Sequence, residues 1–379
     1  MKRLAAADDA QRRMDFQSVQ HELDGLEVQP TSSAARILSP AVHPQIVLHA
    51  DDFGMNREVT DGIVLGFAEG LLTSTSLLAN APDAGRALGL WKQLAQDQLA
   101  RSLASNQARW RLGDGDQPFD LGAHVNLTQG RPMIGDRYPV ALLDRQGRFP
   151  GIFGLFRRLW GHGRRFHGAI EAELSRQIEF LFDHGIQPTH LNGHEYVEML
   201  PAVREVVVGL LDKFRITAVR VAVERMKPSL PGAGSSRIVV GLRARAHQAY
   251  ARRFEARIQG LAVSRPGTFL GVGRAARVDM DYLRRTLAGP RRFSLVEVCL
   301  HPAVAPATQP VGRIDGWNDP LAALRPAELR MLLSAELADF LESQHLRLGR
   351  IGGTHHDVVP NAPAFVRVKR GQAFAKVPA

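Results

Sequence analysis

The stretch that decides the fold is QIVLHADDFGMN, residues 45–56, which a helical pattern follows from Glu58 to Glu69. The run QIVLHA is a short apolar segment of the length expected for a buried strand. The polar turn DDFGMN then completes a strand–turn–helix unit. Because catalytic groups of α/β folds follow the carboxyl ends of strands, Asp51 and Asp52 occupy a position of interest.

The rest of the chain repeats this alternation of strands and helices. Further strands are predicted at 72–79, 120–127, within 188–201, and at 217–224, 293–303 and 345–351. Further helices are predicted at 168–184, 202–213, 240–259 and 326–343. The alternation predicts an α/β fold with a mainly parallel sheet.

Three segments are expected along the chain. Residues 1–44 show no sustained period and are predicted to be a disordered extension. Residues 45–351 carry the alternating pattern and are predicted to be the catalytic domain, and residues 352–379 a loosely ordered tail. A length of 379 residues with 45% hydrophobic content fits one large domain plus extensions better than two equal domains.

Composition excludes several classes of protein. The single cysteine, Cys299, excludes an intrachain disulfide framework and a cysteine-rich zinc module. No apolar run is long enough for a transmembrane helix. The basic N-terminus lacks the apolar region of a signal peptide, so a cytoplasmic protein is the default expectation.

The formal net charge of +10 comes almost entirely from arginine. Pairs such as Arg157-Arg158 and Arg164-Arg165 lie on or beside segments that are predicted to be helical. Solvated helix faces account for this charge, and attraction to an anionic membrane or to a phosphate-bearing substrate is the alternative. Nucleic acid is not expected as a partner, since no recognition motif accompanies the charge. The sequence leaves a homodimer open.

His124 and His194 each follow a predicted strand, as the two aspartates do. Each alone has a plainer interpretation, because an Asp at such a junction often caps the next helix and a lone His is often structural. Together, one carboxylate and two imidazoles supply the three protein ligands of a catalytic metal site with an open position for water. The combination predicts one divalent ion; the ligand types suit Zn²⁺, with Mg²⁺ or Mn²⁺ as alternatives.

Three further side chains are candidates for the site. His301 follows the strand LVEVCL and is either a general acid, since the pKa of histidine lies near neutral pH, or a turn residue packed on the next proline. Arg220, at a strand end, is expected to orient Asp51 or to bind substrate, with a surface ion pair as the alternative. Arg131 is expected to hold the loop after the third strand or to contact the substrate.

Five separated motifs resemble, in order, those of the YdjC-like carbohydrate deacetylases. They are ADDFGMNREVTDGI, GLLTSTSLLANAPDA, LGAHVNLTQGRPM, PTHLNGHEYVEMLP and EVCLHPA. The resemblance covers about residues 45–351. It implies a distorted (β/α) barrel of the glycoside hydrolase/deacetylase type. It also implies a metal-dependent hydrolase that removes the acetyl group from an N-acetylated sugar.

The resemblance also implies a role for each matching residue. Asp51 corresponds to the general base and Asp52 to the carboxylate metal ligand. His124 and His194 correspond to the imidazole ligands. His301 corresponds to the acid that protonates the leaving amine.

The chain departs from the family pattern around His194. Family members commonly carry Asp-Ser-His there, followed by two alternate histidines. This sequence has Asn192 and Gly193 before the histidine, and Tyr196 and Glu198 where further histidines are usual. We expect Tyr196 and Glu198 to face the substrate, so the departure bears on sugar specificity more than on chemistry.

Two short segments, VRVAVER (219–225) and TFLGVGRAAR (268–277), are similar to the branch of the family associated with hopanoid biosynthesis. One alternative function is therefore deacetylation of a lipid-linked N-acetylglucosamine, such as a hopanoid or polyprenol glycolipid. Another metallohydrolase activity is a second alternative, although a glycosidase needs two opposed carboxylates. A catalytically inactive carbohydrate-binding protein is a third, and the presence of all five matching residues argues against it.

Overall fold

A computed structural model describes residues 44–104, 119–226, 237–287, 293–305 and 316–352. Nearly all of the predicted N-terminal extension, and the predicted tail beyond Gly352, lie outside these residues. No helix in the described part of the chain is long and apolar enough to cross a membrane.

Seven strands form one sheet in the described residues, and all of their pairings are parallel. They are β1 (Gln45–Phe53), β2 (Ser74–Leu77), β3 (Asp120–Val125), β4 (Leu191–Gly193), β5 (Thr268–Leu270), β6 (Leu295–Leu300) and β7 (Arg347–Leu348). The strands lie in the order β4-β3-β2-β1-β6-β5, and β7 pairs with β1 beside this path. β1 is therefore central, and every one of its residues after Gln45 is buried.

The sheet curls until its two outer strands meet through the segment 217–223. The amide of Arg220 donates to the carbonyl of Leu191 in β4 at 3.0 Å, and the amide of Phe269 in β5 donates to the carbonyl of Val223 at 3.1 Å. These bonds give the distorted (β/α) barrel that the family resemblance implied. The prediction of a regular strand over 217–224 was wrong, because that segment forms isolated bridges.

Nine α-helices are described, and most of them connect consecutive strands. They are α1 (Arg57–Ala68), α2 (Ala84–Ala104), α3 (Gly151–Leu159), α4 (His167–Asp183), α5 (Pro201–Lys213), α6 (Arg237–Ile258), α7 (Met280–Leu287), α8 (Arg325–Leu332) and α9 (Ala335–Ser343). The side chain of Asn56 accepts the amide of Val59 at 2.9 Å and so caps the start of α1. The single helix predicted over 326–343 is two helices, because Ser334 caps α9 by accepting the amide of Leu337.

The parallel arrangement decides where functional groups lie. Apolar side chains from the strands and from the helices around them form one large core. Because every strand runs in the same direction, the carboxyl ends of β1, β3, β4 and β6 open at one edge of the sheet. This edge carries all five of the predicted metal-binding and catalytic residues: Asp51, Asp52 and His124 lie near the ends of β1 and β3, and His194 and His301 directly follow β4 and β6.

Candidate metal and catalytic site

Two adjacent aspartates lie near the end of β1, where the backbone is irregular. The register of β1 against β2 shifts between Ala50 and Phe53, which marks a β-bulge. Asp52 has a φ of 71°, in the left-handed region that residues other than glycine seldom adopt. In a regular strand Asp51 and Asp52 would point to opposite faces. Here both carboxylates approach histidines at the same edge of the sheet.

Asp52 lies between two buried histidines from neighbouring strand ends. Its Oδ1 lies 2.9 Å from Nδ1 of His194 and 3.5 Å from Nε2 of His124. His124 belongs to β3, and His194 directly follows β4. One ligand-type atom from each of the three residues lies within 4.8 Å of the others. The structure thus brings together the three residues predicted as metal ligands, and we call them the Asp–His–His cluster.

The donor atoms of this cluster fit a divalent cation. Oδ1 of Asp52 is buried and faces only the two imidazole rings, with no other hydrogen-bond partner among the described residues. Nδ1 of His124 lies 2.9 Å from Oδ1 of Asn192, so a proton on Nδ1 leaves Nε2 as a lone pair facing Asp52. One carboxylate and two imidazoles form a donor set that suits a catalytic zinc site with a position left for water.

Gln129 determines where His194 carries its proton. Nε2 of Gln129 lies 3.0 Å from Nε2 of His194, and Oε1 of Gln129 accepts the amide of Asn318 at 3.0 Å. In this arrangement His194 accepts at Nε2 and carries its proton on Nδ1, which faces Asp52. When Nδ1 binds a cation, the proton has to be on Nε2 instead. The amide of Gln129 then has to present its oxygen to the ring.

Asp51 has partners on both of its carboxylate oxygens. Oδ1 accepts from Nδ2 of Asn192 at 3.0 Å and lies 3.1 Å from Nε2 of His49. Oδ2 accepts from Nη1 of Arg220 at 2.7 Å and from Sγ of Cys299 at 3.1 Å. These contacts fix the orientation of the Asp51 carboxylate beside the Asp–His–His cluster.

Both carboxylates are ionised at neutral pH. Burial opposes ionisation of Asp51, but Arg220 and the nearby histidines hold the pKa of Asp51 well below its ordinary value. Burial also opposes ionisation of Asp52, and there Arg325 and His194 hold the pKa well below its ordinary value. An ionised Asp52 is suited to bind a cation, and an ionised Asp51 is suited to accept a proton.

His301 follows β6 and lies close to Asp51. Its Nε2 is 3.9 Å from Oδ2 of Asp51, and its backbone amide donates to Oε2 of Glu328 at 2.5 Å. Burial lowers the pKa of His301 to about 4, so the ring is neutral at pH 7. His301, Asp51 and Cys299 form a second group of close ligand-type atoms next to the Asp–His–His cluster.

The two arginines predicted to contact substrate have partners within the protein. Arg220 is fully buried and donates to Asp51 and, at 2.6 Å, to Oε1 of Glu297. It therefore occupies a position from which it orients Asp51, and its contact with substrate stays a prediction. Nη1 of Arg131 donates to the carbonyl of Gln146 at 2.8 Å and holds the loop after β3.

Tyr196 and Glu198 lie in the short 3-10 helix His194–Met199, beside the cluster. Tyr196 is half-buried, with its ring centroid 4.6 Å from that of His247. Glu198 is fully buried, its carboxylate has no hydrogen-bond partner among the described residues, and burial raises its pKa to about 8. The absence of a side chain at Gly193 leaves room for the Glu198 carboxylate, since a Cβ at Gly193 would lie 2.1 Å from Oε2 of Glu198. Their contact with substrate stays a prediction.

Sequence reasoning missed three residues that support the site. Arg325, buried at the start of α8, donates from Nη2 to Oδ2 of Asp52 at 2.7 Å, and no local pattern marks it. His49 precedes Asp51 by two positions and so shares its face of β1, a signal that strand alternation offered. Asn192 was noted only as a departure from the family, yet it connects Asp51 to a ligand histidine.

A curled parallel sheet with carboxylates and imidazoles at the carboxyl ends of its strands defines an α/β-barrel protein with a candidate metal site. The family model of the YdjC-like proteins matches residues 45–343. The chain therefore belongs to the YdjC-like family.

Several relatives are named carbohydrate deacetylases. The one from Danio rerio is 33% identical over 186 residues, which are 49% of this chain and 52% of that protein. The one from Geobacillus stearothermophilus is 32% identical over 171 residues, 45% of this chain and 57% of that protein. The alignment with these two spans little more than half of their length. A relative from Vibrio cholerae serotype O1 is 24% identical over 306 residues, 80% of this chain and 94% of that protein.

A solved structure has the same fold. It is a crystal structure of a protein from Enterococcus faecalis V583, named as a candidate cellobiose-phosphate cleavage protein. It matches with a TM-score of 0.54 and 18% identity, over 82% of this chain and 98% of that one. At that identity the likeness shows the fold alone.

Proposed function

We propose that this chain is a metal-dependent hydrolase that removes the acetyl group from an N-acetylated sugar. The observation that carries the proposal is the Asp–His–His cluster, in which a buried carboxylate oxygen faces two imidazole nitrogens and has no other hydrogen-bond partner among the described residues. Asp51 lies beside that cluster, held by its own partners. The carbohydrate deacetylases among the relatives supply the sugar and the acetyl group as the substrate class.

The residues divide the chemistry between them. Asp52, His124 and His194 would hold a divalent ion, which when bound would lower the pKa of a water and polarise the amide carbonyl. Asp51 is ionised and accepts the proton of the attacking water. His301 is neutral before the reaction, and its Nε2 lies 3.9 Å from Oδ2 of Asp51. His301 protonates the leaving nitrogen after it receives the proton from Asp51, and for that transfer the two side chains approach from 3.9 Å to hydrogen-bond distance.

Two variants separate metal binding from catalysis. Asp51→Asn removes the base and keeps the Asp–His–His cluster, so we expect bound metal to persist and acetate release to fall by at least about 100-fold. His124→Ala removes one ligand, so metal and turnover are both lost. Bound metal is measured by elemental analysis after dialysis, and His167→Ala, an exposed histidine, is the control. Equal loss of metal in the first two variants would show that the roles of the aspartates are wrong.

The ion and the substrate need direct tests. The donor set suits Zn²⁺, with Mg²⁺ or Mn²⁺ as alternatives, and apo-protein reloaded with each ion identifies the active form. Acetate release is measured from soluble N-acetylhexosamines and oligosaccharides, and from lipid-linked N-acetylglucosamine such as a hopanoid or polyprenol glycolipid. Release of a reducing sugar or of phosphate in place of acetate would favour another hydrolase. Metal-free protein that binds sugar without hydrolysis would favour an inactive binding protein. The proposal also places the protein in the cytoplasm. It includes contact with an anionic membrane and the formation of a homodimer.

A further inference from the structure

Helix α3 presents aromatic side chains to solvent. Phe153 is 77% exposed and Trp160, which follows the helix, is 68% exposed. Phe156 packs on Trp160 with ring centroids 5.2 Å apart. These residues are spaced three and four apart, so they share one face of the helix. The opposite face buries Leu155 and Leu159.

Positive charge borders this aromatic face. The stretch 151–167 contains four arginines and no aspartate or glutamate. Arg157, Arg164 and Arg165 are exposed, whereas Arg158 donates to two backbone carbonyls. We call this group the aromatic–arginine surface; it consists of the exposed Phe153, Arg157, Trp160, Arg164 and Arg165 and the half-buried Phe156.

The aromatic–arginine surface begins close to the candidate site. The amide of Gly151, the first residue of α3, donates to the carbonyl of Thr128 at 3.0 Å. The next residue in that loop, Gln129, contacts His194 at 3.0 Å. The 3-10 turn Val140–Leu142 packs beside α3 and adds Val140, which is 79% exposed.

We infer that the aromatic–arginine surface docks the protein on an anionic lipid bilayer. Trp160 and Phe153 enter the boundary between headgroups and acyl chains, and the arginines pair with lipid phosphates. A second copy of this chain is a poorer occupant, because a two-fold contact through this face would bring the same arginines together. An anionic bilayer neutralises them. Docking would bring the candidate site within reach of a lipid-linked sugar, and this consequence for catalysis rests on the proposed function.

Vesicle sedimentation tests the docking. Purified full-length protein is mixed with phosphatidylcholine vesicles, with and without about one-third phosphatidylglycerol, at low and high salt. Binding is expected with the anionic vesicles and is weakened by salt, which screens exposed charges. The variant R164Q/R165Q lowers partitioning about 25-fold, from roughly fivefold for each arginine near the membrane surface. The variant F153S/W160S lowers it by at least about tenfold, because two aromatic side chains no longer leave water.

The control variant is R252Q/R253Q, which removes the same charge from an exposed part of α6. If this control reduces binding as much as R164Q/R165Q, net charge and not the aromatic–arginine surface is responsible, and the inference fails. The inference also fails if F153S/W160S binds vesicles like the parent protein. It fails as well if, without vesicles, light scattering gives F153S/W160S a lower molar mass than the parent protein, because the surface would then hold a second copy of the chain. Sedimentation needs no catalysis, so vesicle binding without acetate release would overturn the proposed function and leave this surface in place.

Discussion

Asn192 offers the sharpest test of how the site is organised. Its amide joins the two functional halves, because Oδ1 faces Nδ1 of His124 at 2.9 Å and Nδ2 donates to Oδ1 of Asp51 at 3.0 Å. Asn192→Leu keeps the size of the side chain and removes both hydrogen bonds. Asn192→Asp keeps an acceptor for His124 and removes the donor to Asp51. The two variants therefore separate the link to the metal ligand from the link to the base.

The magnitudes follow from the lost contacts. Loss of the partner that orients a ligand histidine typically costs about 10–100-fold in metal affinity, so Asn192→Leu is expected to lose that much. A hydrogen bond to a charged group contributes about 1.5–3 kcal/mol, so the same variant also loses about 10–150-fold in turnover with metal saturating. In Asn192→Asp, two carboxylates 3.0 Å apart would repel by roughly 5 kcal/mol at an effective dielectric constant of about 20.

We therefore expect Asn192→Asp to keep metal affinity within about threefold of the parent protein. Because one of two adjacent carboxylates takes up a proton, and because family members commonly carry Asp at this position, we expect turnover to persist but to shift to higher pH. Metal affinity is measured by competition with a chelating dye, and turnover by acetate release at saturating metal. Thermal unfolding of each apo-variant controls for a general loss of structure. If Asn192→Leu binds metal as tightly as the parent protein, the amide does not position the ligand, and the reasoning is refuted.

Three further predictions concern stability. Gly193→Ala is expected to lower the free energy of unfolding, because the new Cβ would lie 2.1 Å from Oε2 of Glu198. In a Glu198→Ala background the same substitution is expected to cost at least about 1 kcal/mol less. Gly62→Ala loses about 1–3 kcal/mol because its Cβ would lie 2.5 Å from the backbone after β6, whereas Gly209→Ala, on an open part of a helix, gains about 0.5–1 kcal/mol. Burial raises the pKa of Asp120 from 3.8 to about 6, so the native state holds this proton more tightly than the unfolded state. The contribution of Asp120 therefore lowers the free energy of unfolding by about 3 kcal/mol as pH rises from about 4 to about 6. In Asp120→Asn this part of the pH dependence should be absent, which urea unfolding across that pH range measures.

The sequence predicted the convergence of the site because topology makes it almost automatic. Asp51, His124 and His194 each follow a run that reads as a strand, and parallel strands open at one edge of the sheet. No contact between distant residues had to be known for that step. The parallel sheet was predictable for the same reason. The barrel was implied only by the family resemblance, and its closure through 217–223 uses isolated bridges that no periodic pattern predicts.

The supporting residues were harder to predict because their roles depend on distant parts of the chain. Arg325 begins a helix and reaches a carboxylate 273 positions earlier. Asn192 acts through an amide that contacts two residues on other strands. The left-handed backbone of Asp52 also has no sequence signature, since such strain persists only where the surrounding structure enforces it.

The same surroundings explain how two identical neighbours acquire different roles. Asp51 has a partner on each oxygen, with Arg220 on Oδ2 at 2.7 Å and Asn192 on Oδ1 at 3.0 Å. Asp52 has Arg325 on Oδ2 at 2.7 Å, while its Oδ1 faces His194 and has no partner other than imidazole rings among the described residues. A carboxylate with both oxygens held is fixed for proton transfer, and one with a free buried oxygen is suited to a cation. The proposed assignment of Asp51 as base and Asp52 as ligand thus rests on what faces Oδ1 of each, the amide of Asn192 for Asp51 and imidazole nitrogens for Asp52, and not on the order of the aspartates in the sequence.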